Sequence, residues 1–206
     1  MSTPRSQWAD IVAANPDHSH QYAQRFRQLE ANGTDIYGEA RLVDALLPRG
    51  ARVLDAGCGA GRSGGYLARQ GHQVVGVDLD PVLIEAAEED FPGATWLVGD
   101  LAELDLPARG IAEPFDALIC AGNVMTFLHP DTRVEVLRRF GRHLAPEGRA
   151  VVGFGAGRGY PFEQFRVDAE TAGLSVDHRF ATWDLGRWTQ DADFLVAVLS
   201  RADSVR

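Results

Sequence analysis

Apolar residues along this chain fall into two rhythms that alternate from residue 52 onward. Short, nearly unbroken runs at 53–54, 74–77, 96–98, 117–120 and 151–154 read as strands covered on both faces. Strands are therefore expected over residues 52–55, 73–78, 95–98, 115–120 and 150–154, with helices between them over 62–70, 81–90, 131–144 and 162–172. Asp80-Pro81 opens one of these helices, with proline in its first turn. Asp131 is the expected cap of another, and Pro146-Glu147-Gly148 the expected turn into the fifth strand. Two last strands, 174–182 and 194–199, have only a polar connection and should pair as an antiparallel hairpin at one edge. Upstream, residues 1–10 read as a loose arm, followed by a helix over 18–31 with Tyr22, Phe26 and Leu29 at helical spacing, ended by Asn32-Gly33. Asp35 is the expected cap of a second helix through Leu46, stopped by Pro48. Alternating strands and helices imply a doubly wound, mostly parallel seven-stranded sheet with helices on both faces. Residues 1–48 form an arm and helical cap, and 49–206 the body of one structural domain.

Charge narrows the partners. The sequence carries 29 acidic and 20 basic residues, a formal net charge of −9, and no cluster of basic side chains. A polyanion needs such clusters, so a nucleic-acid partner is disfavoured. No stretch is long and apolar enough to span a membrane and the N-terminus lacks a leader's apolar core, so a cytoplasmic location is expected. Cys58 and Cys120 make no disulfide framework and read as small core residues. The histidines show no metal-ligand spacing, and no metal is expected.

The run Val53-Leu54-Asp55-Ala56-Gly57-Cys58-Gly59-Ala60-Gly61 carries the chemistry. Strand, glycine turn and helix form a nucleotide-binding unit, in which glycines let the backbone approach a ligand and the helix start leaves N–H groups free. Asp55 would repel a pyrophosphate but suits a ligand bearing an ammonium and a sulfonium. Asp78, ending the second strand, fits a ribose in either kind of ligand. Two residues argue against a nicotinamide-dependent oxidoreductase: Asp55 replaces an apolar residue, and Arg62 stands where G-x-G-x-x-G has its third glycine.

Four segments in order, the Asp55–Gly61 turn, Asp78 in GVDLDP, Gly99-Asp100, and FDALI at 115–119 with the later APEGRAVVGF, resemble the class I S-adenosylmethionine-dependent methyltransferases over roughly residues 51–200. The resemblance implies a Rossmann-like fold, S-adenosyl-L-methionine as cofactor and S-adenosyl-L-homocysteine as product. It places Ala56, Gly57, Cys58, Gly59, Gly61 and Arg62 around the methionine part, with Asp55 favouring the positive ligand. Asp78, beside Leu79, would accept from the ribose hydroxyls. Asp100, after Gly99, would accept from the adenine amine, with Leu101 beside the ring. Ala121, Gly122 and Asn123 would lie near the sulfonium. Tyr37 would close over the methionine end, and Arg41 would pair with the ligand carboxylate.

The expected reaction is direct in-line displacement, which needs alignment and exclusion of water more than a dedicated base. The motifs therefore identify the donor and leave the catalytic residue unassigned, His129 and Tyr37 being the candidates. Arg158 and Tyr160, in the glycine-rich loop at 155–160, are candidates for the acceptor. Asn123 is followed by Val124-Met125-Thr126 and not by the Pro-Pro-aromatic run of enzymes that methylate adenine or glutamine amino groups. The expected acceptor is a small molecule methylated on O or N. The alternative is a protein that binds the cofactor as a sensor or partner subunit without transferring a methyl group. Oligomeric state is not legible.

Overall fold

The computed structural model describes residues 4–203. Seven strands, β1 (Arg52–Ala56), β2 (Gln73–Asp78), β3 (Thr95–Val98), β4 (Phe115–Cys120), β5 (Leu144–Gly155), β6 (Leu174–Phe180) and β7 (Phe194–Arg201), form one sheet in the order β3-β2-β1-β4-β5-β7-β6. Only β7 runs against its neighbours, pairing antiparallel with both β5 and β6. This is the Rossmann-like sheet with a C-terminal antiparallel hairpin. Strand order reverses between β1 and β4, which opens a crevice beyond their C-terminal ends.

The buried strands feed two cores, because successive side chains point to opposite faces. Leu54 and Leu118 join one cluster with Val136, Phe140 and Phe165 of α7 (Arg133–His143) and α8 (Phe162–Thr171). Val53 and Ile119 join the other with Ala40, Val43 and Leu67 of α3 (Gly38–Ala45) and α4 (Arg62–Arg69). Helix α5 (Pro81–Asp90) follows β2 and is capped by Asp80, whose Oδ1 accepts from the Val82 N–H at 2.9 Å.

Several expectations need correction. The arm contains a helix, α1 (Gln7–Ala14), capped by Ser6, whose hydroxyl accepts from the Ala9 N–H; residues 1–3 of that arm lie outside the described residues. Asp35 does not cap α3. It accepts from the Tyr37 N–H and pairs with Arg41, and the helix starts at Gly38. Asp131 does not cap α7 either: His129 caps a short 3₁₀ turn, Pro130–Thr132, and α7 follows from Thr132. The segment 146–148 is no turn but part of β5, absorbed as a bulge where the register moves from Phe115↔Leu144 to Ala117↔Arg149. A one-turn helix, α6 (Val124–Phe127), follows β4 and was not legible as a helix.

Helices α1 and α2 (His18–Ala31) are fastened over the β2 end of the sheet. The Trp8 indole N–H donates to Asp80 Oδ2 at 2.8 Å, and the Ser19 hydroxyl donates to the same oxygen. Arg27 of α2 pairs with Asp90 and Glu89 of α5. One carboxylate thus starts α5 and anchors both N-terminal helices.

Candidate active site

The glycine turn leaves β1 through conformations that L side chains rarely adopt: φ is +76° at Gly57 and +53° at Gly59. A Cβ on Gly57 would lie 2.5 Å from a Val124 methyl, and one on Gly59 would meet the Tyr22 ring at 3.4 Å. The turn is held from both sides. The N–H groups of Gly57 and Cys58 donate to the Val77 carbonyl at 2.8 and 3.1 Å. Asp55 is buried, and its Oδ2 accepts from the Gly64 N–H at 2.7 Å, tying α4 to β1. Burial pushes its carboxyl up to about 7.

Asp78 connects the turn to the next strand end. Its Oδ2 accepts from the Gly59 N–H at 2.8 Å and its Oδ1 from the Asp80 N–H at 2.9 Å. Each carboxylate oxygen keeps a lone pair for a further donor. Burial raises this carboxyl to about 6. Asp100 uses Oδ1 to accept from the Ala102 N–H at 2.8 Å, which leaves Oδ2 for a ligand. Asn123, at φ +67°, accepts the Gly155 N–H on its Oδ1 at 2.8 Å and so braces the ends of β4 and β5 together.

A cleft of about 290 Å³ runs along these strand ends. It brings together Gly57, Gly59, Asp78 and Leu79 from the first half of the sheet, Gly99, Asp100 and Leu101 after β3, and Ala121, Gly122 and Asn123 after β4. Arg158, beyond β5, lines it too. A narrow adjoining pocket takes in Asp55, Cys58 and Arg62, and shares Gly57, Ala121 and Gly122 with the cleft. The Asp78 carboxylate, the exposed backbone of the glycine turn and an acid after β3 with one oxygen unused suit a ligand with hydroxyl, amino and positive groups.

Other residues singled out in the sequence stand elsewhere. Ala56 is wholly buried in the core, and Gly61 starts α4 against Ala87 and Trp96. Arg62 lines only the narrow pocket and is committed to Glu39 at 2.8 Å. Tyr37 and Arg41 line neither cavity: the Tyr37 hydroxyl donates to Glu30, and exposed Arg41 pairs with Asp35. His129 caps its own turn, with Nδ1 accepting from the Asp131 N–H, and lines neither cavity. Tyr160 is a core residue, 1% exposed, stacked on Phe154, with its hydroxyl donating to Asp168 at 2.7 Å. The thiols of Cys58 and Cys120 are free and buried, and burial pushes both well up. Among the described residues no group of three or more His, Cys, Asp or Glu could hold a metal, and no helix is long and apolar enough to cross a membrane.

The cleft is roofed from the N-terminal helices, as the cap predicts, but the side chains that do so were not singled out in the sequence. Tyr22 and Arg25 of α2, Trp8 of α1 and Phe127 of α6 all line the cleft. Tyr22 borders both cavities, burial raises its phenol, and its hydroxyl makes no hydrogen bond among the described residues. The spacing of Tyr22 and Phe26 did mark an aromatic helix face; that the face turns onto the glycine turn depends on Asp80, far along the chain.

Residues 53–148 match a family model described as a methyltransferase domain. A solved TehB-like SAM-dependent methyltransferase from Corynebacterium glutamicum ATCC 13032 Kitasato is 54% identical, covering 91% of this chain and 100% of its own, with a TM-score of 0.85. The chain belongs to the class I S-adenosylmethionine-dependent methyltransferases, with S-adenosylmethionine as cofactor. Magnesium-protoporphyrin O-methyltransferase of Rhodobacter capsulatus is 34% identical over 132 residues, 60% of this chain and 53% of that protein. The chain thus spans about half the length of that curated relative, and 36% of a mouse 18S rRNA (guanine-N(7))-methyltransferase. A Burkholderia thailandensis 1,6-didemethyltoxoflavin-N1-methyltransferase, solved with its acceptor and S-adenosylhomocysteine, shares the fold at 22% identity, 90% and 91% coverage, and a TM-score of 0.62.

Proposed function

We propose that this protein transfers the methyl group of S-adenosylmethionine to an oxygen or nitrogen atom of a small molecule. The observation that carries the reading is one cleft, about 290 Å³, floored by the glycine turn and Asp78 and roofed by Trp8 and Tyr22. That volume lies near the low end of small-ligand sites. When bound, the cofactor supplies a sulfonium methyl that a nucleophile displaces in line.

The chain's own residues position and shield. Asp78 accepts from the ribose hydroxyls, and Asp100 from the adenine amine. The N-terminal segment, residues 1–48, serves as the cap on the body formed by 49–206, and its α1–α2 pair excludes water from the reacting centre. Tyr22 keeps its proton at neutral pH, because burial raises its phenol, so it donates a hydrogen bond and does not act as a base. Net charge of −9 and the absence of a basic cluster favour a small acceptor over RNA.

The test is incubation of the purified protein with methyl-labelled S-adenosylmethionine and fractionated small-molecule extract. Acceptor-dependent formation of S-adenosylhomocysteine supports transfer. Tight cofactor binding with no turnover in any fraction would favour the sensor or partner-subunit reading instead.

A further inference from the structure

Most arginines on this acidic chain have an acidic partner; Arg27, Arg41, Arg62, Arg138 and Arg166 are all paired. Arg109, Arg133, Arg149, Arg179 and Arg187 have none among the described residues, and neither do Arg25 and Arg158. Both are exposed, and among the described residues neither makes a hydrogen bond or an ion pair. Both nevertheless line the same cleft, reaching it from separate elements, α2 and the loop after β5. On a chain with 29 acidic residues, two unpartnered guanidinium groups converging on one cavity are a charge pattern that an anionic ligand would complete.

Arg158 stands across the switch point from the carboxylates that line the cleft, whereas Arg25, on α2, lies on their side, near Val82 and Glu89 of α5. Asp78 and Asp100 follow β2 and β3 on one side of the switch point, whereas Arg158 follows β5 on the other. The cavity wall here is aromatic. Trp8 and Phe127 meet edge to face, with ring centroids 5.7 Å apart. The indole N–H of Trp8 is tied to Asp80, which fixes that ring before any ligand arrives.

We infer that the methyl acceptor is a small aromatic carboxylate, its ring lying against Trp8 and Phe127 and its carboxylate met by Arg25 and Arg158. Guanidinium suits this role because its fork of N–H donors matches a carboxylate's two oxygens. The inference rests on the methyl-transfer reading and specifies its acceptor.

The test titrates the S-adenosylhomocysteine-loaded protein with benzoate, para-hydroxybenzoate and indole-acetate, each beside its neutral amide. The acids should bind about tenfold or more tightly than their amides, the margin of a charge-assisted hydrogen bond over a neutral one. With S-adenosylhomocysteine kept saturating, R25Q and R158Q should each remove most of that preference. Amides binding as well as acids, no acid binding at all, or a preference untouched by both substitutions would overturn the inference. Failure of the wild-type protein to bind S-adenosylhomocysteine would count against the methyl-transfer reading itself, and is read separately before any acid is added.

Discussion

Asp78 and Trp8 face the same cleft but reach it by different routes. Asp78 sits at a strand end, held by two backbone N–H groups within its own βαβ unit, one of them in the glycine turn. Trp8 sits on a helix near the start of the chain and is held by Asp80, 72 residues away. The floor is built from backbone geometry and short-range hydrogen bonds, so little in it can move without unmaking the fold. The roof is built from side chains on helices that meet across the molecule, and it can change while the sheet stays intact.

The sharpest way to break that contrast is at Gly57. Gly57→Ala forces a side chain into φ +76° and against Val124, and should lower stability by about 2–5 kcal/mol in urea unfolding. A loss below about 0.5 kcal/mol would show that the turn is not the rigid half. Next in size, Asp78→Ala should weaken binding of S-adenosylhomocysteine by about 1.5–3 kcal/mol, roughly tenfold to a hundredfold, with the fold intact by circular dichroism. Unchanged affinity would remove the ribose assignment.

The pH profile sharpens the same side. Burial raises the free Asp78 carboxyl to about 6 and that of Asp55 to about 7. Ribose donors and a positive ligand prefer the ionised forms, so binding lowers both values and releases protons. Affinity for S-adenosylhomocysteine should be greatest above pH 7 and fall as pH drops through 6, by up to about tenfold per unit for each group. Calorimetry from pH 8 to 5 checks this, and Asp78→Asn should flatten part of the slope. The smallest effect belongs to the roof. Trp8→Phe removes one hydrogen bond to Asp80 and should cost about 1 kcal/mol of stability. A cooperative unfolding loss several times larger would make α1 part of the core and erase the distinction between the two sides.

Legibility in the sequence follows the same divide. Strands β1 to β4 and helix α5 were readable because continuous apolar runs and the Asp80-Pro81 start are local signals. Gly57, Asp78 and Asp100 were readable because a switch-point cleft draws on successive strand ends. Helix α1 was overlooked because its only cue was Ser6 ahead of Trp8 and Ile11, with no buried residue of its own to anchor it. Tyr37, Arg41, His129 and Tyr160 looked available, yet their polar atoms are taken by Glu30, Asp35, the Asp131 N–H and Asp168. Trp8, Tyr22 and Arg25 needed tertiary placement: nothing within α1 or α2 says which face turns toward the glycines until Asp80 joins them.

The most direct test of the account is calorimetric titration of the purified protein with S-adenosylhomocysteine, with NADH titrated in parallel. One-to-one binding of S-adenosylhomocysteine in the micromolar range, with no heat from NADH, is the predicted result. Binding of NADH alone, or of neither ligand to folded protein, would contradict it.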